Sequence, residues 1–231
     1  MAASKRLAEV PDTRRVESPT HEALHDEINS KQEHLIRHTY RLIGEKGVHR
    51  MTLQDVADSA GVSKAVIVYY FKSKDNLVLR TMRWVLAQVA KRIRRGIAKA
   101  DTPEDQIKAM IDAIFIDAKR NRNFYLAYTD LVDYAARKNS FQELSTTFRS
   151  VVNNLYADII RSGFDDGSFV GPDADEAASV VRAIIDGLFL QWLQEERWRA
   201  VHASYKAMCL DGVLTYLRHG RRSEPAAISS R

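Results

Sequence analysis

Apolar residues recur at every fourth position along much of this chain, as at Val85, Val89 and Ile93. This spacing places them on one face of an α-helix, whereas a half-buried strand needs an alternation of apolar and polar residues that is absent here. The five prolines lie at positions 11, 19, 103, 172 and 225, so the stretches between them can form long helices. The sequence therefore predicts an all-α fold.

Residues that cap or end helices divide the chain into segments. Thr52, Ser63 and Ser73 are expected to cap helices, because a hydroxyl can accept a hydrogen bond from a free amide of the first turn. Gly47 and Gly61 are placed where a left-handed residue ends a helix. The predicted helices are 31–46, 53–60, 64–70 and 74–98, one that follows Pro103, and 122–137, 140–162, 173–197 and 202–218, with a turn at 163–168.

Charge is distributed unevenly along the chain. Residues 31–95 contain 14 Lys or Arg against 5 Asp or Glu, a balance of +9, whereas residues 101–218 contain 13 against 18, a balance of −5. A localised basic segment is typical of a nucleic-acid-binding region, because neutralising phosphates releases counterions. A solvated basic face is the alternative interpretation.

The segment 52–71 has the layout of a helix-turn-helix. Val56, Ala57 and Ile67, together with Val62, can pack two short helices against each other, and Gly61 lies in the turn between them. The second helix is short enough to enter a major groove. An ordinary helical hairpin would show part of the same pattern.

The flanks of this segment add specificity, and residues 31–80 resemble the TetR family of bacterial repressors. The resemblance rests on Gly-Val-Ser at 61–63, Tyr-Tyr-Phe at 69–71 and Ser-Lys at 73–74. It implies a three-helix DNA-binding domain followed by a larger helical ligand-binding and dimerisation domain. Val68 stands where many members have a phosphate-contacting tyrosine. The residues expected to contact DNA are Thr52, Gln54, Ser63, Lys64, Ala65, Val66, Tyr69, Tyr70 and Lys74.

The same departure at Val68 occurs in the branch of this family that resembles the choline-responsive regulator BetI. The segment 184–190, Ile-Ile-Asp-Gly-Leu-Phe-Leu, is similar to the penultimate helix of that branch. Residues 1–29 are polar and contain two prolines, so we expect them to form a flexible arm, followed by the helix-turn-helix domain at 30–77, the effector and dimerisation domain at 78–219 and a disordered tail at 220–231.

Aromatic residues are frequent in the second half, where they can form either a plain core or the wall of a ligand pocket. With Asp112, Asp130 or Asp133 nearby, such rings can surround a cationic amine. Asp186 is a further candidate, because it interrupts an apolar segment. The residues predicted to bind a ligand are Trp84, Phe115, Phe124, Tyr125, Tyr128, Asp130, Asp186 and Phe189.

The segment 179–193 is apolar on nearly every face, so a helix here needs cover on two sides. One face can meet the domain interior and the other a second subunit, with Gly187 allowing close approach and the last helix completing a four-helix interface. A buried monomer core is the alternative. A homodimer is favoured, because reading two half-sites needs two-fold symmetry.

Several classes of function lack their motifs in this chain. His21 with His25, and His34 with His38, have helical spacing for a metal, but no carboxylate or cysteine completes either set. Cys209 is the single cysteine and is interpreted as a packing residue. We therefore expect no metal, no cofactor and no enzymatic activity.

The sequence predicts a cytoplasmic protein without a membrane partner, because it has no apolar span and no apolar leader. The favoured function is a DNA-binding repressor whose affinity for operator DNA is controlled by a small molecule. A small-molecule binding protein, an activator and an enzyme that uses the aromatic pocket are the alternatives.

Overall fold

A computed structural model describes residues 30–137, 146, 149–171 and 173–220. Every regular element in this part of the chain is helical. The predicted arm at 1–29, the tail beyond residue 220 and most of 138–148 lie outside it. The helices are α1 (Ser30–Lys46), α2 (Leu53–Ala60), α3 (Lys64–Phe71), α4 (Lys74–Ile97), α5 (Pro103–Ile114), α6 (Ala118–Ala136), α7 (Asn154–Asp165), preceded by a π-helical turn (Arg149–Asn153), α8 (Ala174–Leu193) and α9 (Trp198–His219).

Two predicted boundaries in the middle of the chain were wrong. Helix α6 begins earlier than residue 122, because Asp117 caps it by accepting a hydrogen bond from the amide of Arg120. Helix α7 continues through Gly163 to Asp165, so the predicted turn begins only at Asp166. An aspartate cap and a glycine inside a helix are both weak signals in a single sequence.

The boundary between the last two helices also differs from the prediction. Helix α8 ends at Leu193, before residue 197, and α9 begins at Trp198, before residue 202. The indole Nε1 of Trp192 donates a hydrogen bond of 2.7 Å to the carbonyl of Trp198. This bond spans the turn between α8 and α9 and fixes the end of one helix to the start of the next.

Helices α1 to α3 form a compact unit, which we call the head. Ile36 of α1, Val56 of α2, and Ile67 and Phe71 of α3 are fully buried together. Gly61 has a φ of 68°, which a glycine adopts without steric cost and which turns the chain from α2 into α3. These residues belong to the core cluster that also includes the buried residues of the later helices, and α3 is anchored to it by its inward face.

Helix α4 leads from the head into the bundle formed by the later helices. It packs against α1 at its beginning and along α5 further on, while α8 lies between α7 and α9. Its buried residues recur with helical spacing, among them Leu77, Met82, Leu86 and Ile93. Helix α4 therefore connects the bundle directly to the head. No helix of the described chain has the length and apolarity to cross a membrane.

Candidate DNA-binding surface and ligand cavity

Helix α3 is held by its buried side and is open to solvent on the other. Ile67 and Phe71 are buried, whereas Lys64, Ala65 and Tyr69 are exposed, Tyr69 by 70%. Val68 is also exposed. Val68 and Tyr69 together leave apolar surface of α3 open to solvent, and a contiguous exposed patch of this kind is typical of a contact surface.

The start of α2 is fixed by a reciprocal cap. The Thr52 hydroxyl accepts from the amide of Asp55 at 3.1 Å, and the Asp55 carboxylate accepts from the Thr52 amide at 2.8 Å. Lys46 of α1 completes the arrangement with an ion pair of 2.8 Å to Asp55. Hydrogen bonds from Lys46 and Thr52 lower the pKa of Asp55 to about 2. The capping role predicted for Thr52 is confirmed.

A tight turn joins α3 to α4. Lys72 has φ 63° and ψ −42°, and the amide of Ser73 donates to the carbonyl of Phe71 at 2.7 Å. These values define a γ-turn with a positive φ, a strained conformation for a residue that carries a Cβ. Ser73 then caps α4 by accepting from the amide of Asn76, as predicted.

The residues expected to contact DNA lie in the head and at the start of α4. Their side chains differ in exposure and in the hydrogen bonds that they already make. Gln54 donates to Asp58 at 2.7 Å, and Lys74 donates to the carbonyl of His49 at 3.3 Å. Ser63 occupies the cap position of α3, but its hydroxyl makes no capping hydrogen bond, so that expectation was wrong. Thr52, Gln54, Ser63, Lys64, Ala65 and Tyr69 are exposed, and Val66, Tyr70 and Lys74 are half-buried.

A cavity of about 280 Å³ lies among α1, α4, α6 and α8. Most of its wall is apolar or aromatic, with a few charged groups among the rings. Five of the predicted ligand-binding residues line it: Trp84, Phe124, Tyr125, Tyr128 and Asp186. Tyr40, Arg92, Arg120, Arg182 and Tyr156 are among the other lining residues.

Asp186 is the acidic residue in the cavity wall. Its carboxylate accepts hydrogen bonds from Tyr128 at 3.1 Å and Tyr125 at 3.5 Å, and Arg182 lies 3.7 Å away. Burial raises the pKa of Asp186, although Arg182 and the two hydroxyls oppose the shift. Burial also raises the pKa of Tyr128 and of Tyr125, so both phenols stay protonated and donate. Phe124 stacks on Tyr128 at 5.9 Å between ring centroids.

Arg92 and Tyr40 form a second polar region of the wall. The Nε of Arg92 donates to the carbonyl of Ala113 at the end of α5. Burial raises the pKa of Tyr40 to about 12, against the effect of the Arg92 charge. Neither Tyr40 nor Arg92 was among the residues predicted to bind a ligand. The sequence carries no local signal for them, since the two residues are brought together only by the packing of α1 on α4.

Three predicted ligand-binding residues do not line the cavity. Phe115 and Phe189 stack at 4.2 Å between ring centroids in the core, and Phe189 also stacks on Tyr125 at 3.8 Å. Asp130 lies at the head, where its carboxylate accepts from the backbone amide of Val48. Helical geometry explains this, because Asp130 points away from the face of α6 that carries Tyr128.

The second half of α6 contacts the head at more than one point. Asp133 lies 3.3 Å from the imidazole of His49, and the Tyr134 hydroxyl donates to Asp75 at the start of α4. Asp130 and Asp133 were also among the aspartates predicted to help aromatic rings surround a cationic amine. Asp112, the third aspartate of that prediction, pairs with Lys206 at 2.7 Å and is absent from the cavity wall.

Helices α8 and α9 present a face of small and apolar residues to solvent. Leu190 is 45% exposed and Met208 is 52% exposed. A Cβ added at Gly187 would meet no atom within 4 Å, so this position is open. Large exposed apolar side chains beside an open glycine are typical of an interface.

Residues that could support metal or thiol chemistry are poorly placed in the described chain. It contains no group of three or more His, Cys, Asp or Glu suited to a metal ion. The rings of His34 and His38 lie 4.6 Å apart, and His38 is hydrogen-bonded to Ser59. Cys209 is buried, and burial raises the pKa of its thiol to about 12.

Comparisons with known proteins agree with this arrangement. Residues 35–81 match the model of the tetR family of bacterial regulatory proteins, and residues 103–218 match that of the C-terminal part of BetI-type transcriptional repressors. An HTH-type transcriptional regulator BetI from Stenotrophomonas maltophilia is 31% identical over 162 residues, which cover 70% of this chain and 80% of the relative.

Solved structures share the fold. A putative transcriptional regulator from Saccharomonospora viridis in complex with choline has a TM-score of 0.66 and 21% identity, over 82% of this chain and 96% of that one. The regulator FadR from Bacillus subtilis in complex with stearoyl-CoA has a TM-score of 0.66 and 20% identity, over 78% of this chain and 98% of that one.

Proposed function

Because the chain belongs to the TetR family of bacterial regulatory proteins, with a BetI-type C-terminal part, we propose that it represses transcription and releases its operator when a small molecule fills the cavity. The observation that carries the proposal is the exposed face of α3, anchored by buried Ile67 and Phe71 at the basic end of the chain. Residues 30–77 form the DNA-binding domain and 78–219 the effector and dimerisation domain. The protein acts in the cytoplasm, without a cofactor and without enzymatic turnover.

In this proposal α3 enters the major groove. Ala65 and Val66 offer methyl groups for contact with thymine, while Lys64 and Tyr69 can hydrogen-bond to base edges. Thr52, Tyr70 and Lys74 contact phosphates and set the register of the helix on the duplex. Val68 lacks a hydroxyl, so the phosphate contact made by tyrosine in other members is absent here.

The face of α8 and α9 that carries Gly187, Leu190 and Met208 forms the homodimer interface in this proposal. Burial of the exposed apolar side chains supports association, and the open glycine lets two helix backbones approach. Two-fold symmetry then holds two copies of α3 at the spacing of two half-sites.

Helix α6 is the proposed connection between cavity and head. Tyr128 lines the cavity, and Asp130 and Asp133, within the next two turns, contact Val48 and His49 of the head. An effector that displaces α6 therefore moves the contacts that hold the head against the bundle. The effector favours release only to the extent that it binds the displaced state more tightly.

The DNA-binding part can be tested with duplexes selected from a random library by the wild-type protein. Tyr69→Ala is expected to weaken binding to the selected sequence about tenfold, because a base contact is lost. Lys74→Ala is expected to lower the slope of log affinity against log salt by about 1. Lys119→Ala is the control, because this exposed lysine lies on α6, outside the proposed surface.

Selection of no sequence, or equal binding by Tyr69→Ala and wild type, would contradict the proposal and favour a protein that only binds small molecules. The direction of regulation is read with a reporter gene placed behind the selected sequence. Lower expression when the protein is present supports repression, whereas higher expression identifies an activator.

The coupling role of α6 can be tested with Asp130→Ala. This variant is expected to bind the operator and to lose most of the effector response, because its contact with the Val48 amide is gone. Asp165→Ala, an exposed carboxylate on α7, serves as the control. A wild-type response in Asp130→Ala would show that α6 does not carry the signal through this contact.

A further inference from the structure

We infer that the effector of this protein carries an anionic group, which binds in the cavity between the Arg92 guanidinium and the Tyr40 hydroxyl. The inference rests on the proposed effector site and specifies the chemistry of its ligand. It concerns a different region of the cavity wall from Asp186.

Arg92 is half-buried and has hydrogen-bonding capacity to spare. A guanidinium has five N–H donors, and within the described chain Arg92 uses its Nε toward the Ala113 carbonyl. No carboxylate of the described residues lies within ion-pair distance of it. A partly buried cation is costly without a counter-charge, and burial accordingly lowers the pKa of Arg92. An anionic ligand group would supply the missing partner.

The neighbours of Arg92 are further donors and a second cation. The Tyr40 hydroxyl, close enough for its pKa to respond to the Arg92 charge, makes no hydrogen bond to the described residues. The Trp84 ring, 6.5 Å from that of Tyr40, has a buried Nε1 without an acceptor. Arg120 lines the same wall and its charge acts on Arg92, while its exposed side chain also pairs with Asp117 at 3.2 Å. This part of the wall therefore offers donors and positive charge, for which an oxyanion is the complement.

The region around Asp186 does not neutralise Arg92. The charged group that acts on Asp186 is Arg182, and Arg92 is not among the groups that shift its pKa. The cavity thus has two separate polar regions, one with a carboxylate among phenols and one with a cation among donors. A ligand whose anionic group is joined to a cationic or apolar body matches this distribution.

Four small probes of similar size separate the effect of an anion from that of a cation. Glycine betaine has both charges, choline has the cation alone, tert-butylacetic acid has the anion alone and neopentylcarbinol has neither. Binding of each to the full-length protein is measured by calorimetry at constant ionic strength. We expect the two carboxylates to bind about tenfold more tightly than the alcohols of the same body, as a charge-assisted pair requires.

Arg92→Gln is expected to remove this preference for carboxylates, whereas Arg94→Gln, an exposed position on the same helix, is expected to retain it. Asp186→Asn should weaken the two cations and leave the carboxylate preference unchanged. Circular dichroism verifies the fold of each variant. If Arg92→Gln does not fold, Arg92→Lys replaces it, and a reduced carboxylate preference with an intact fold is then the expected result.

Equal binding of carboxylates and alcohols, a preference that survives Arg92→Gln, or failure of both carboxylates to bind would overturn the inference. The proposed function is judged separately from operator binding without any probe. Operator binding together with a missing carboxylate preference would refute the anion site alone. Absence of operator binding by the wild-type protein would refute the proposed function.

Discussion

Asp55 in the head and Asp186 in the cavity wall show how differently two regions of this molecule treat the same side chain. Hydrogen bonds from Lys46 and Thr52 lower the pKa of Asp55 to about 2. Burial raises the pKa of Asp186 against the effect of Arg182. The head places its carboxylate where ionisation stabilises the fold, and the cavity holds one where ionisation costs stability. Such a cost is typical of a binding site, where groups are arranged for a ligand.

The largest expected effect comes from Phe71→Ala in the core of the head. Phe71 is fully buried at the end of α3, so its removal leaves a cavity in the core. We expect the free energy of unfolding to fall by about 3–5 kcal/mol, measured by urea denaturation. Phe124→Ala is the comparison, because this half-buried ring already borders an empty space. An equal loss for both variants would remove the distinction between the two regions.

Asp186→Asn is expected to stabilise the protein by on the order of 1 kcal/mol at neutral pH, because it removes a poorly solvated charge. The folded pKa of Asp186 is raised, so its contribution is present below the unfolded pKa and is lost as pH rises through the folded pKa. The advantage of asparagine should therefore vanish below about pH 4. Melting temperatures across acidic and neutral pH measure this, and destabilisation at neutral pH would contradict it.

Asp55→Asn is expected to act in the opposite direction. The lowered pKa of Asp55 means that its contribution is present above the unfolded pKa of about 4 and is lost as pH falls toward about 2. The variant should melt at a lower temperature than wild type at neutral pH, by a smaller amount because the site is exposed. Asp165→Asn, an exposed position, is the control and should melt like the wild type.

The smallest expected effect concerns the γ-turn between α3 and α4. Lys72→Gly should raise the free energy of unfolding by about 0.5 kcal/mol, because relief of strain exceeds the added chain entropy of glycine. Lys72→Ala removes the same charge and retains the Cβ, so it should bring no gain. Equal stability of the two variants, measured by thermal melting, would show that the positive φ of Lys72 carries no strain.

The head was predictable because its signals are local. Thr52 and Ser73 each bond an amide three residues later, and Gly47 and Gly61 end helices with a positive φ. These roles depend on residue type and short spacing, which a sequence shows directly. The exception is Ser63, whose position is correct but whose hydroxyl makes no capping bond.

The cavity was predicted only in part, because its wall is assembled from distant segments. Tyr128 and Asp186 are 58 positions apart in the chain and meet through the packing of α6 on α8. Aromatic composition identified several wall residues, but it could not distinguish them from Phe115 and Phe189 in the core. Asp130 was assigned to a ligand, although its carboxylate belongs to the junction with the head. Binding of a ligand by the wall residues stays a prediction.

The stack of Phe115, Phe189 and Tyr125 has a consequence for which molecules can act as effectors. These rings are buried at centroid distances of 4.2 Å and 3.8 Å, so this floor cannot yield without opening close-packed contacts. A molecule that fits the empty space leaves this stack closed, whereas a larger one has to open it in order to displace α6, which carries Tyr125. A compact compound can therefore occupy the space without changing the affinity for the operator, while a bulkier one of the same chemistry acts as an inducer.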